Sequence, residues 1–276
     1  MTCAWDQFIR ILPQRMRQDV DRLGQQTLQE FRLRINAPPE LVCRTGISWL
    51  SEQVTTEDLQ YCINAASRYS PWAAETAAEG YLTAPGGHRI GLCGDVVIHN
   101  GIVTGIRRLE SICIRIARDF PGIGRNVDLT GSVLILGAPG WGKTTLLRDL
   151  ARNAAEREST AVVDERGELF PPGLQRGKRM DVLTGCPKEQ GIRRLLCTMG
   201  PEWIVVDEIT ADRDCEALTN AVGCGVKLLA TAHGSSREDL TRRSVYRKLM
   251  ESGIFSTVLV LDRNKGWKTE RMNKCL

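Results

Sequence analysis

Residues 132–157 constrain this chain more than any other stretch. An apolar run, Ser132–Leu136, leads into Gly137-Ala138-Pro139-Gly140-Trp141-Gly142-Lys143-Thr144-Thr145, and a helical pattern follows over Lys143–Arg157. The spacing G-x-x-x-x-G-K-[ST], placed between a strand and a helix, is the form of a phosphate cradle. Glycines let successive backbone N–H groups converge on one anion, and the helix N-terminus adds partial positive charge. Gly137 to Thr145 are therefore the expected nucleotide-binding residues, with Lys143 reaching the β- and γ-phosphates.

A second motif agrees. Trp203-Ile-Val-Val-Asp207-Glu208 is an apolar strand ending in two carboxylates. In an open α/β sheet the ligand crevice lies outside the carboxyl ends of the strands. Asp207 and the Thr144 hydroxyl are then the expected Mg²⁺ ligands, and Glu208 is the expected general base for an attacking water. Two further strands end in polar groups, Val162-Val-Asp164-Glu165-Arg-Gly-Glu168 and Leu228-Leu-Ala-Thr231-Ala-His233. Parallel strands bring those ends to the same rim. Glu165 and His233 are accordingly candidate catalytic residues, with Thr231 or His233 placed to sense the γ-phosphate.

The surrounding pattern predicts an α/β fold with a mainly parallel sheet. Its expected strands are Ser132–Leu136, Thr160–Asp164, Trp203–Asp207, Lys227–Ala232 and Thr257–Leu261. Its expected helices are Lys143–Arg157, Gln190–Met199, Arg213–Gly223 and Arg237–Ser252. A turn-rich stretch, Asp119–Gly131, marks a boundary between an N-terminal α+β domain, residues 1–125, and a nucleotide domain, residues 131–276. The smaller domain should contain an amphipathic helix over Asp6–Leu23, a helix over Thr56–Tyr69, antiparallel strands within Gly80–Val103 and a strand over Ser111–Ala117. Gly86-Gly87 and Asn100-Gly101 are hairpin signals. His88 and His99 read as hairpin residues.

Composition excludes several classes. No run approaches the roughly 18 apolar residues of a membrane span, and the N-terminus lacks a signal-peptide pattern, so a cytoplasmic protein is expected. Ten cysteines occur without C-x-x-C or zinc-ligand spacing, and they read as buried free thiols of a reducing compartment, Cys62, Cys93, Cys113 and Cys197 among them. The net charge of +4 arises after residue 130, and the first lysine is Lys143. That excess is too small to argue for a nucleic-acid surface, and no nucleic-acid partner is expected.

One strand, Thr160–Asp164, separates the two nucleotide motifs in sequence. This layout resembles RecA-like P-loop ATPases of the additional-strand class. The order of glycine-rich loop (Walker A), acidic box, strand-end carboxylates (Walker B) and His box resembles the ATPases of type II and type IV secretion. More specific segments, Val163-Asp-Glu-Arg-Gly-Glu168, Arg179-Met-Asp-Val-Leu-Thr-Gly-Cys-Pro-Lys188, Thr231-Ala-His-Gly234 and Gly86-Gly-His-Arg-Ile-Gly-Leu-Cys-Gly94, are similar to the stage III sporulation protein AA family. That resemblance implies an ATP- and Mg²⁺-dependent ATPase in the mother cell of an endospore former, held at the membrane through other stage III channel proteins. It also implies a homo-oligomeric, hexameric ring.

A ring ATPase commonly completes its site with an arginine, worth about 10³–10⁵ in rate. The candidates are Arg32, Arg34, Arg89, Arg107, Arg108, Arg115 and Arg118 in the first half, and Arg166 and Arg179 in the second. Alternation sets Arg115 opposite Ile114 and Ile116, and Arg115 and Arg179 are preferred. Taken singly, each reads more readily as a solvated surface charge than as a finger. Two other functions compete with a channel ATPase: a nucleic-acid-dependent P-loop ATPase, and a scaffold that binds nucleotide without hydrolysing it.

Overall fold

The computed structural model describes residues 2–67, 80–171 and 173–272. They form two compact units. The first comprises residues up to Asp119 together with 171–174; the second comprises 120–170 and 175 onward. The division falls at Asp119, ahead of the turn-rich stretch. The reason is local: buried Asp149 accepts N–H bonds from Gly122 and Gly124 (both 2.8 Å), tying that stretch to the nucleotide helix.

The first unit opens with α1 (Trp5–Ile11) and α2 (Gln14–Leu23). A single helix over Asp6–Leu23 was the expectation. Pro13 breaks it, because proline lacks the N–H that an uninterrupted helix needs there. Strands β1 (Leu28–Arg34), β2 (Glu40–Cys43) and β3 (Gly46–Trp49) come next, followed by α3 (Thr56–Ser67). Residues 68 and 69 of the expected Thr56–Tyr69 helix lie outside the described set. The unit closes with β4 (Tyr81–Thr83), β5 (Arg89–His99) and β6 (Ile102–Arg115).

These strands make one antiparallel sheet in the order β3-β2-β1-β6-β5-β4. Phe31, Leu33, Ile90, Ile112 and Ile114 pack with Phe8, Leu12, Met16 and Leu59 of the helices. The alternate residues Arg32, Arg34 and Arg115 point away and pair with Glu30 and Glu40. The expected strand over Ser111–Ala117 is the end of the longer β6. Asn100 and Gly101 turn the β5–β6 hairpin with φ of 51° and 78°, the signature of a type I′ turn. Among the described residues no other strand flanks this ribbon beyond Gly94 and Leu109, and its end exposes Val96, Val97, Ile98, Ile102 and Val103.

His88 lies in the connection of the β4–β5 hairpin. It is fully buried, with Nε2 on the carbonyl of Ala4 (3.0 Å) and Nδ1 accepting the Ala117 N–H (3.1 Å). Burial pushes its pKa below the ordinary value.

The second unit is a seven-stranded sheet ordered β13-β12-β7-β11-β10-β8-β9. Its strands are β7 (Val133–Gly137), β8 (Thr160–Asp164), β9 (Met180–Thr184), β10 (Trp203–Val206), β11 (Lys227–His233), β12 (Thr257–Leu261) and β13 (Trp267–Arg271). All pairings are parallel except β12 with β13. The helices are α4 (Lys143–Ala155), α5 (Lys188–Met199), α6 (Asp212–Gly223), α7 (Arg237–Arg242) and α8 (Ser244–Glu251).

The expected helix over Arg237–Ser252 is two. Arg243 adopts extended angles (φ −91°, ψ 126°) and ends α7 before α8 starts. Strands β9 and β13 were not expected. Both lie on sheet edges and are largely exposed, so they lack the apolar run that marks β7, β10 and β11.

Alternate residues of the central strands enter two cores. Leu134, Leu136, Ile204, Val206 and Leu228 join α5, α6 and α8 on one face; Val133, Ile135, Val205 and Leu229 join α4 on the other. Burial on both faces is why these strands read as continuous apolar runs. In the sheet, β11 sits between the glycine-loop strand β7 and the carboxylate strand β10, while β8 lies beyond β10. This is the RecA-like, additional-strand arrangement, and the inserted strand is the one carrying Thr231 rather than Thr160–Asp164.

The nine described cysteines are all free. Cys62 and Cys215 are buried, and burial pushes their thiols up to about 12 and about 11. Cys93 and Cys197 are exposed and Cys113 is half-buried, contrary to the expectation that all were core residues.

Candidate functional site

The site lies where β7, β11, β10 and β8 end. After β7 the chain turns through Gly140 (φ 78°) and Gly142 (φ 99°) and starts α4 at Lys143. Those angles lie in the left-handed region that glycine enters without penalty. Trp141 N–H bonds back to Ala138 O (3.3 Å), which closes the loop. The first N–H groups of α4 then face the loop opening as unpaired helix donors, a donor set suited to phosphate.

Lys143 Nζ donates to the carbonyls of Gly137 (2.9 Å) and Ala138 (3.2 Å) and to His233 Nδ1 (3.1 Å). Burial pushes this ammonium below its ordinary pKa, and Asp207 and Glu208 act against that shift. A partly dried cation with only neutral direct partners favours a close anion.

Asp207 stands just past β10. One carboxylate oxygen accepts from Thr144 Oγ1 (2.8 Å), the other from Thr231 Oγ1 (2.5 Å). Thr144 and Asp207 therefore stand side by side, as residues sharing one Mg²⁺ would. Thr231 is fully buried, and its hydroxyl also accepts the Glu208 N–H (2.7 Å). Its hydroxyl is thus bonded to both Asp207 and Glu208.

Glu208 has φ of 52°. For a non-glycine residue this conformation costs on the order of 1–3 kcal/mol and is found where surrounding bonds impose it. Here the Thr231 hydroxyl, and the Ile209 N–H bond to Thr231 O (2.9 Å), impose it. The Glu208 carboxylate meets His233 Nε2 (2.9 Å) on one oxygen and Arg166 (3.4 Å) on the other. With Nδ1 accepting from Lys143, the bonding assigns the His233 proton to Nε2. His233 thus links Lys143 to Glu208.

The acidic segment after β8 is clamped from two sides. Asp164 accepts the N–H groups of Glu168 (2.9 Å), Leu169 (3.0 Å) and Phe170 (2.9 Å). Arg148 of α4 donates to the carbonyls of Glu168 (2.9 Å) and Leu169 (2.6 Å). Glu165 pairs with Lys188, whose side chain is only 8% exposed. A cleft of ≈ 80 Å³ joins these groups to Thr144, Asp207 and Glu208.

Lys188 carried no functional assignment from sequence. The available signal was its place directly after Pro187, at the start of a helix within a family-specific segment.

Of the preferred arginines, Arg179 is elsewhere in the second unit. Arg179 precedes β9, whose Met180 pairs with Thr160 at the start of β8, so it lies at the opposite end of the sheet. It donates to Arg157 O and pairs with Glu202 (3.5 Å). It does not reach the nucleotide residues of its own chain. Arg115 belongs to the first unit, paired with Glu30 (3.2 Å).

Known proteins give the arrangement a family. A family model described as sporulation stage III, protein AA, matches residues 4–271. The chain is 38% identical over 282 aligned residues to stage III sporulation protein AA of Bacillus subtilis (strain 168), covering 95% of this chain and 92% of that one. Its fold is similar to the ATPase DotB of Legionella pneumophila, with a TM-score of 0.60, 18% identity, and coverage of 95% of this chain and 80% of that one. It is also similar to the pilus retraction motor PilT solved with bound ADP, with a TM-score of 0.66, 15% identity, and coverage of 94% and 82%. At such identities the likeness establishes a shared fold. The family model and the Bacillus subtilis relative establish more: the chain belongs to the sporulation stage III protein AA family.

Proposed function

We propose that this chain is an Mg²⁺-dependent ATPase of endospore formation that energises or assembles the channel joining mother cell and forespore. The observation that carries the reading is the convergence of Lys143, Thr144, Asp207, Glu208 and His233 at one rim, with the main helix N-terminus beside them. The relatives support it: one is a sporulation protein of the same family, and two similar folds belong to an ATPase and a retraction motor.

In this reading Gly137 to Thr145 hold the phosphates through backbone N–H groups. Lys143 leaves its carbonyl partners for the β- and γ-phosphates. Thr144 and Asp207 hold Mg²⁺, which when bound offsets phosphate charge. Glu208, kept in place by Thr231, takes a proton from a water whose oxygen bonds to the γ-phosphorus. The bond from that phosphorus to the bridging oxygen breaks, and ADP leaves with the electron pair. His233 holds Glu208 and Lys143 in register, and Lys188 holds Glu165 at the edge of the cleft.

The working form is a homo-oligomer, a hexameric ring, on the cytoplasmic side of the mother-cell membrane beside other stage III channel proteins. Among the described residues no helix is long and apolar enough to cross a membrane, so attachment through partners fits.

The test is phosphate release against protein concentration, with Mg²⁺, for wild type and Lys143→Ala. A rate per chain that rises with concentration and disappears in the variant supports an oligomeric ATPase. Equal rates in the two proteins sink the reading.

A further inference from the structure

We infer that Arg166 is the arginine that completes the hydrolytic site, and that it acts in cis, on the nucleotide bound by its own chain. The inference rests on the ATPase reading above. Among the arginines considered from sequence, Arg166 is the one the second unit brings to Glu208, at 3.4 Å. In that reading Glu208 takes the proton of the attacking water, so a guanidinium 3.4 Å from its carboxylate stands next to the group that must act on the γ-phosphate.

Charge in the cleft points the same way. Asp164, Glu165, Glu168, Asp207 and Glu208 line it, against two cations, Arg166 and Lys188. A nucleotide adds further negative charge. Lys188 is committed to Glu165, with its side chain 8% exposed. The Arg166 side chain is 63% exposed, and its contact with Glu208 is long and exchangeable. It can pass from the carboxylate to an incoming phosphate and leave Glu208 free for water.

The backbone that carries Arg166 is already built. Gly167 (φ 66°) makes the turn, its N–H bonding to Asp164 O (3.2 Å). Asp164 and Arg148 then fasten residues 168–170 from both sides. Arg148 belongs to the helix that starts at Lys143, so arginine and phosphate cradle share one support. Such preorganisation is what lets a donor act on a transition state rather than on the ground state.

The experiment uses the full chain with Arg166→Ala, Arg166→Lys, Glu208→Gln and Lys143→Ala. Arg166→Ala should lower kcat about 100-fold or more, the scale of losing one preorganised donor, with KM for ATP changed by less than about threefold. Arg166→Lys should recover part of kcat. Co-expressed Arg166→Ala and Glu208→Gln subunits should be no more active than the two variants alone, because each chain then lacks one half of its own site. Near-wild-type kcat in Arg166→Ala overturns the inference. So does recovery of rate in the mixed protein, which would place the arginine in a neighbour's site. A wild type no faster than Lys143→Ala overturns the ATPase reading and this inference together.

Discussion

The two ends of the seven-stranded sheet differ in a way that identifies the site. At the N-terminal ends of the strands lies a hollow of ≈ 720 Å³, lined by Arg125, Asp128, Arg157, Glu158, Trp203 and Lys227. At the C-terminal ends the cleft beside Asp207 and Glu208 is ≈ 80 Å³. In the larger space three of the lining groups pair with one another: Glu158 accepts from Lys227 (2.5 Å) and from the Trp203 indole, and the Lys227 ammonium lies 4.6 Å from that ring.

At the other end a lysine, a strained glutamate and a histidine converge, with Lys143 bonded to His233 and His233 to Glu208. Right-handed parallel crossovers explain the asymmetry. Each helix here starts near the C-terminal end of a strand and finishes near the N-terminal end of the next. One rim therefore collects helix N-termini and their unpaired donors, and the other collects C-termini.

The largest effect is expected for Glu208→Gln. Loss of a general base should slow hydrolysis by about 10²–10⁴-fold, while binding of a fluorescent ATP analogue persists. Turnover at the wild-type rate would remove Glu208 from the base role.

A smaller effect is expected at the opposite end. Lys227→Met should change stability by no more than about 1 kcal/mol, as for other half-exposed pairs, and kcat by less than about twofold. Urea denaturation and steady-state turnover measure the two. Arg179→Ala should likewise leave kcat within about twofold. A large loss of rate there would mean that this end serves a neighbouring chain's site.

The smallest effect lies in the first unit and involves stability alone. His88 is buried with one ring nitrogen donating and the other accepting, which suits the neutral ring. Its folded pKa lies below its ordinary 6.5. The unfolded chain therefore takes up the proton first as pH falls. The stabilisation is complete above pH 6.5 and is lost as pH drops toward the folded value. Denaturation midpoints at pH 7.5 and pH 5.5 should differ in that sense, and the difference should shrink in His88→Gln. An unchanged pH slope in that variant would show that the imidazole is not the group responsible.

Much of the fold is legible wherever a local rule operates alone. The β7–loop–α4 unit is written in glycine spacing and an adjacent apolar run, and β10, β11 and β12 in short apolar runs. The rules give way where signals conflict. Apolar periodicity runs through Pro13 and through Arg243, and the structure breaks a helix at each. In β1, Phe31 and Leu33 alternate with Glu30 and Arg32, yet Leu28–Arg34 contains no hairpin turn to announce it. Edge strands β9 and β13 bury too little to leave an apolar pattern.

The site divides along the same line. Neighbouring residues alone carry the glycine-loop cradle, the Asp207–Glu208 pair and the expectation that His233 belongs with them. These follow from neighbouring residues on a strand, a turn and a helix start, whose geometry is set within a few bonds. Which distant residues join them depends on the packing of the whole sheet. Parallel register carries Thr231 to Asp207 and His233 to Lys143, and packing of α5 over β8 brings Lys188 to Glu165. The same register sends Arg179 to the far end of the sheet and leaves Arg166 beside Glu208. Those placements depend on the strand order β7-β11-β10-β8, which arises when both faces of the sheet must be buried at once, and no window of sequence contains that information.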